Sequence, residues 1–313
     1  MKKIKYIFYV ILLLILIILL FFKHNNKENS IVFIESLNNE YSSKGMGFVY
    51  KIENNANYII TSYHVIHNSE NIYVYNLNDK KIKAEIINYD KYTDLALLKI
   101  EDKLNLKESK FGKKSVKENE YIYYFNINSN KIAKCKVLSL NTEIFLDTKY
   151  GNSYYKGISI KGNITKGNSG GPVLNKDNEV IGLIALKEKN KDTFVYLPVD
   201  KVIEMVSKLE NHTLKRPNLG GTFVSAYNEE VIKENNIVLD NINGVVILDV
   251  IKDYPLYNAL IIKGDVITRI NNTTISNVDE LQNEIYSHNI GDVVTLQYYR
   301  NNEYNIVNVR LNK

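Results

Sequence analysis

Hydrophobic positions fall into three regimes along this chain. From Tyr6 to Phe22 all 17 residues are apolar, behind Lys2, Lys3 and Lys5. After the polar residues 23–30 the pattern breaks into many short β-rich runs separated by Asn, Asp, Gly and Lys. Residues 31–33, 72–75, 84–87, 121–125 and 135–140 read as strands. Residues 58–67 form a β-rich run that ends in histidines, and Asp94 leads straight into the apolar residues 95–100. Residues 179–186 read as a buried strand. The third regime is helical. Apolar residues at 202, 203, 206 and 209 share one face of a predicted helix over 200–209. Asn277-Val278-Asp279-Glu280 predicts a capped start for a second helix, with Leu281 and Ile285 on one face.

Seventeen apolar residues lie at the short end of what spans a bilayer as a helix. The preceding lysines predict that residues 1–5 stay in the cytoplasm and that everything beyond Phe22 lies outside. A cleaved signal peptide needs small residues near the end of the apolar run, whereas here that end reads Leu19-Leu20-Phe21-Phe22-Lys23. The expectation is an uncleaved, single-pass anchor over 6–22 in the cell membrane, a tether over 23–30, and an extracytoplasmic body.

That body, about 290 residues, predicts two domains. A net charge of +5 with scattered lysines gives no support for nucleic-acid binding. Cys135 is the single cysteine, so no intramolecular disulfide forms; its strand-like setting reads as packing. The abundance of Asn, Ile and Tyr reads as coding bias rather than function.

Chemistry concentrates at Gly167-Asn168-Ser169-Gly170-Gly171-Pro172. Glycines there permit a sharp turn and a close approach to a ligand. A serine so presented becomes a nucleophile if a base stands beside it and backbone N–H groups face its target. His64 and Asp94 supply the partners, each next to a predicted strand. The order His, Asp, Ser is that of chymotrypsin-like enzymes; other serine hydrolase folds use other orders. Each residue alone has a plainer reading: a core histidine, a capping carboxylate, a turn serine. Residues 162–167 have P-loop glycine spacing, but Asn168 stands where a phosphate-binding lysine is required. His64 and His67 could share a metal face, yet no third ligand group is evident, so neither a metal nor a cofactor is expected.

Thr61-Ser62-Tyr63-His64-Val65-Ile66, Asp94-Leu95-Ala96-Leu97-Leu98-Lys99-Ile100 and Gly167–Asn175 resemble the three active-site blocks of HtrA (Deg) serine proteases. Gly45-Met46-Gly47-Phe48 and Phe194-Val195-Tyr196-Leu197-Pro198 are similar to other segments of that family. The resemblance implies a mainly β, chymotrypsin-like double barrel over 31–209, with a triad of His64, Asp94 and Ser169 between the barrels. It also implies an oxyanion hole from the N–H groups of Gly167 and Ser169, and a substrate pocket near Ile164 and Tyr196. Residues 210–218, with Pro217, read as a linker. Residues 219–313 resemble an HtrA-type PDZ domain through Lys263-Gly264-Asp265-Val266-Ile267, with Leu219-Gly220-Gly221-Thr222 as the implied carboxylate loop. Such a domain adds a peptide as an extra strand and holds its terminal carboxylate.

The chain departs from the family pattern in places. Tyr196 stands where a small residue is usual, Lys166 where proline is usual, and residues 160–164 and 253–260 differ from the expected runs. With the three catalytic positions intact, these departures read as altered specificity or regulation. The resemblance implies an anchored endopeptidase that cuts misfolded or regulatory envelope proteins in stress response and quality control. It further implies a homotrimer that recognises peptide C-termini and uses neither ATP nor metal. The alternative is a non-proteolytic chaperone or peptide-binding scaffold of the same fold.

Overall fold

The computed structural model describes residues 30–39, 42–76, 80–101, 104–113, 116–146, 153–187, 193–214 and 216–312. The predicted anchor over 6–22 and the tether up to residue 29 lie outside the described residues. Among the described residues no helix is long and apolar enough to cross a membrane.

The first lobe is a seven-stranded antiparallel sheet. It comprises β1 (Ile31–Leu37), β2 (Ser42–Glu53), β3 (Ala56–Ser62), β4 (Asn71–Tyr75), β5 (Ile82–Lys83), β6 (Glu85–Asp90) and β7 (Leu95–Glu101), with the one-turn helix α1 (Tyr63–Ile66) after β3. The strand order is β5-β4-β1-β2-β3-β7-β6. Asn54 and Asn55, both at positive φ, make the tight turn between β2 and β3, because two left-handed residues match the twist of a two-residue hairpin. Strand β7, between β3 and the edge strand β6, is buried along nearly its whole length, which explains its almost unbroken apolar run.

The second lobe is a closed six-stranded barrel. It comprises β8 (Tyr121–Asn126), β9 (Lys131–Leu146), β10 (Ser153–Lys161), β11 (Pro172–Leu174), β12 (Val180–Lys187) and β13 (Phe194–Pro198), in the order β10-β13-β12-β11-β8-β9. Closure is therefore present in the second lobe, while the first is a sheet whose edge strands β5 and β6 are not neighbours. Helix α2 (Val199–Glu210) follows directly and buries Val202, Val206 and Leu209. These side chains join Phe48, Ile60, Leu95 and Leu97 of the first lobe and Leu183 and Leu197 of the second in one core cluster. Burial of that shared cluster is what fixes the two lobes to each other.

The C-terminal unit holds β14 (Gly221–Ser225), α3 (Glu229–Glu234), β15 (Val245–Val250), α4 (Pro255–Asn258), β16 (Val266–Ile270), β17 (Thr273–Thr274), α5 (Val278–Ser287), β18 (Val293–Arg300) and β19 (Glu303–Arg310). Its sheet runs β14-β15-β16-β18-β19, with β17 paired to β16, around a separate core that includes Val246, Leu256, Ile267, Leu281 and Leu296. Buried Asp265 receives hydrogen bonds from Arg300 (Nε to Oδ1, 2.6 Å) and from the N–H of Ile262 (2.9 Å), so the Gly264-Asp265 pair closes its turn onto β18.

Candidate functional site

The β-rich run ending in histidines divides differently from its sequence reading. β3 stops at Ser62, and His64 stands in the single turn of α1. Two contacts from Asp94 hold that turn: its backbone carbonyl accepts from the N–H of Tyr63 (2.9 Å), and its Oδ1 accepts from the N–H of His64 (2.8 Å). The second carboxylate oxygen meets Nδ1 of His64 at 2.6 Å. Asp94 is 5% exposed and sits at φ +54°, a left-handed conformation that a short polar side chain tolerates. The His64 side chain is 44% exposed, so it faces an accessible space. Burial works against its charged form, but the hydrogen bond and negative charge of Asp94 outweigh that and hold the imidazole above the ordinary histidine value.

The serine loop is clamped to both lobes. The carbonyl of Ser169 accepts from the N–H of Met46 in β2 (2.9 Å), while Gly170 and Gly171 exchange backbone hydrogen bonds with Ile184 in β12. Gly170 lies at φ +78° against the end of β3. A Cβ there would stand 2.5 Å from Thr61 Oγ1 and 2.8 Å from the N–H nitrogen of Ser62. Only glycine permits this approach, and it brings the serine loop against the strand that leads to His64. Asn168 is fully buried; its amide donates to the carbonyl of Phe125 (2.7 Å), and its Oδ1 accepts from the N–H of Thr165 (3.2 Å). Asn168 therefore braces the loop from inside. Among the described residues, the N–H groups of Gly167 and Ser169 donate to no other group, and Gly167 is at φ +95°.

Ile164 and Tyr196 come together in the core of the barrel, with Cys135, Ile158 and Ile184. Tyr196 is 1% exposed and crosses Gly182, where a Cβ would lie 2.2 Å from its ring. Burial holds the Tyr196 phenol above its ordinary value and pushes the Cys135 thiol up to about 12, the signature of an inert packed thiol. His67 caps α1, with its Nδ1 2.7 Å from Tyr63 Oη. Among the described residues no three His, Cys, Asp or Glu are grouped to hold a metal ion.

Leu219, Gly220, Gly221 and Thr222 form the entry to β14. The carbonyls of Leu219 and Gly220 accept from the N–H groups of Leu256 and Ile251, both at 2.9 Å, and Gly220 is at φ +79°. This loop lies apart from the His64–Asp94 pair, in the C-terminal unit.

Asp90, Tyr92 and Arg216 had no sequence signal. Asp90, 3% exposed, accepts from the N–H (3.1 Å) and hydroxyl (2.6 Å) of Thr93, the residue before Asp94. Arg216 donates to both Asp90 oxygens, with Nε 3.1 Å from Oδ1, and its guanidinium lies 4.3 Å from the centre of the Tyr286 ring. Burial, together with the nearby Tyr286 and Tyr254, pushes the Tyr92 phenol up to about 12, against the opposing effect of a hydrogen bond with Asn218.

Residues 45–183 match the model of the trypsin-like peptidase domain, and residues 217–311 match that of the PDZ domain. A Lactococcus lactis protein named serine protease Do-like HtrA is 30% identical over 88% of this chain and 72% of its own length. Serine protease Do-like HtrB of Bacillus subtilis is 28% identical over 85% of this chain and 62% of its own length. Among solved structures, the HtrA-type protease AlgW with a decapeptide superposes with a TM-score of 0.67 at 18% identity, covering 92% of this chain and 96% of that one. The serine endoprotease from Yersinia pestis gives 0.64 at 20% identity, over 92% and 95%. The fold, the two matched domains and the curated relatives agree: the chain belongs to the HtrA family of serine proteases, a serine endopeptidase with a C-terminal PDZ domain.

Proposed function

We propose that His64, Asp94 and Ser169 form the catalytic triad of this endopeptidase. The observation that carries the reading is the 2.6 Å contact between His64 and Asp94, with the serine loop packed on the strand ahead of His64. His64 takes the Ser169 Oγ proton as Oγ bonds to the peptide carbonyl carbon, and the oxyanion forms against the N–H groups of Gly167 and Ser169. The proton passes to the leaving amine as the C–N bond breaks, and water then releases the acyl group by the same route. Asp94 keeps Nδ1 protonated and the ring oriented. Ile164 and Tyr196 belong to the pocket for the residue before the cut, where a tyrosine in place of a small residue narrows the pocket or alters its preference.

The proposal extends to partners. Leu219 to Thr222 receive the carboxylate of a peptide C-terminus, a reading supported by the match of residues 217–311 to the PDZ domain. Residues 6–22 anchor the chain, both domains work outside the membrane as a homotrimer, and the substrates are misfolded or regulatory envelope proteins. The test is digestion of unfolded casein by residues 26–313, beside a Ser169→Ala control. Cleavage by the wild type alone supports the triad. Silence from both, persisting with peptides that end in free apolar carboxylates, favours a non-proteolytic peptide-binding scaffold.

A further inference from the structure

The serine loop carries a charge that the proposed mechanism does not use. Thr165 to Asn168 form a four-residue turn, in which the carbonyl of Thr165 accepts from the N–H of Asn168 (3.2 Å). Asn168 Oδ1 in return accepts from the N–H (3.2 Å) and the hydroxyl (3.3 Å) of Thr165, so the base of the turn is bonded on both sides. Gly167, at φ +95°, takes the third place, which in such a turn needs a left-handed residue. Lys166 takes the second, where proline is favoured for its fixed φ. A lysine there forgoes that preorganisation and supplies a cation instead. Its side chain is exposed and, among the described residues, forms no ion pair. The locked turn keeps it one residue from the N–H of Gly167, the proposed oxyanion donor.

One exposed lysine is ordinary; a second stands across Ser169 from it. The N–H of Met46 in β2 binds the Ser169 carbonyl, and a Cβ on Gly45 would lie 3.1 Å from that oxygen and 2.6 Å from Val65, the residue after His64. Position 45 thus faces inward, and by strand alternation Lys44 stands on the outer face, 60% exposed. Its partner across β1 is Glu35, at 3.7 Å, and Lys81 holds that carboxylate more closely. An exposed pair at such a distance binds Lys44 weakly. The pocket for the residue before the cut is assigned to the barrel, through Ile164 and Tyr196. A peptide that leaves this pocket over Ser169 therefore meets β2 of the first lobe with the residues that follow the cut. Lys166 borders that passage from the serine loop and Lys44 from β2.

We propose that Lys44 and Lys166 select substrates that carry an acidic side chain at the first or second position after the cut. This rests on the triad and pocket assigned above. A lysine ammonium on its flexible stem reaches a carboxylate over a range of positions, without the fixed fork geometry of arginine. The pairs remain in contact with water, so the preference is modest and weakens with salt.

The test maps the cuts that the full-length chain, in detergent micelles, makes in unfolded casein. One cut is then copied into an internally quenched peptide with Glu at both positions after it, beside the same peptide with Gln. The Glu peptide is expected to show a kcat/KM about three- to tenfold higher, the worth of one or two exposed ion pairs. Lys44→Gln and Lys166→Gln should each cut that ratio by about two- to threefold, and salt at about 0.5 M should bring it close to one in the wild type. Lys166→Glu should favour a peptide with Lys at those positions over the Gln peptide. Because each comparison is a ratio within one variant, general damage to the enzyme cancels. Equal cleavage of the Glu and Gln peptides by the wild type overturns the proposal and leaves the triad standing. A preference that survives both Gln substitutions belongs to other residues, and the assignment to these lysines fails. If Ser169→Ala cuts as the wild type does, the triad itself fails and this selection falls with it.

Discussion

Asp94 lifts the His64 imidazole above its ordinary value, and this acts on catalysis and on stability in opposite pH directions. A protonated imidazole cannot accept the serine proton, so kcat/KM should rise with pH through a value above that of a free histidine. The stabilising contribution of the pair has the other sign. A group whose folded value exceeds its unfolded one stabilises fully below the unfolded value, and that help fades as pH rises through the folded value. Asp94→Asn should shift the acid limb of the profile to lower pH and cut kcat by about four orders of magnitude. An unshifted limb in that variant would mean the titration belongs to another group. Gly170→Ala is a second residue-scale case. Its φ of +78° and the 2.4 Å approach to the Met46 carbonyl leave no room for a methyl group, so it should cost about 2 kcal/mol or more, read by denaturant titration. The glycines of the serine loop and the residue types of the proposed triad stand out in the sequence because the chemistry they suggest is local. The asparagines do not: composition made them look like bias. Yet Asn54, Asn55, Asn178, Asn271, Asn301 and Asn302 all occupy left-handed turn positions that other side chains avoid.

Strands and helices were read well where periodicity and capping set them. Helix α2 spans Val199–Glu210 against an expected 200–209, and the predicted strands at 31–33, 72–75, 121–125 and 135–140 fall inside β1, β4, β8 and β9. Helix α5 starts as its capping pattern predicts: Asn277 Oδ1 accepts from the N–H of Glu280 (3.0 Å), and Glu280 accepts from that of Ser276 (2.7 Å). Asn277→Ala should therefore lower stability by about 1 kcal/mol, while Asn277→Asp should hold it near wild type. Equal loss in both would show that the cap is not the source. The misreading at His64 has the same logic in reverse. Nothing local marks a turn at Tyr63, because the groups that hold it come from Asp94, 30 residues along the chain.

At the scale of the whole molecule, Asp90 and Arg216 join across 126 residues of chain. Neither residue stands out in the sequence, since a buried carboxylate is recognised only by its partner. Arg216 belongs to the stretch between the domains, so the turn that carries Asp94 is completed by a residue outside the peptidase body. Arg216→Ala would leave the Asp90 carboxylate buried with a lost cation, a change that costs about 3 kcal/mol. Because Thr93 hangs on the same carboxylate, kcat should fall with KM little changed: the loss is in holding His64, not in binding peptide. Arg216→Lys keeps the charge but cannot make the two-pronged contact with Asp90, so it should recover only part of the activity. A double-mutant cycle with Asp90→Asn should then give a coupling of about 1–3 kcal/mol in stability. Full activity and an unchanged melting temperature in Arg216→Ala would show instead that the linker merely passes the Asp94 turn and that the two domains work without this bond.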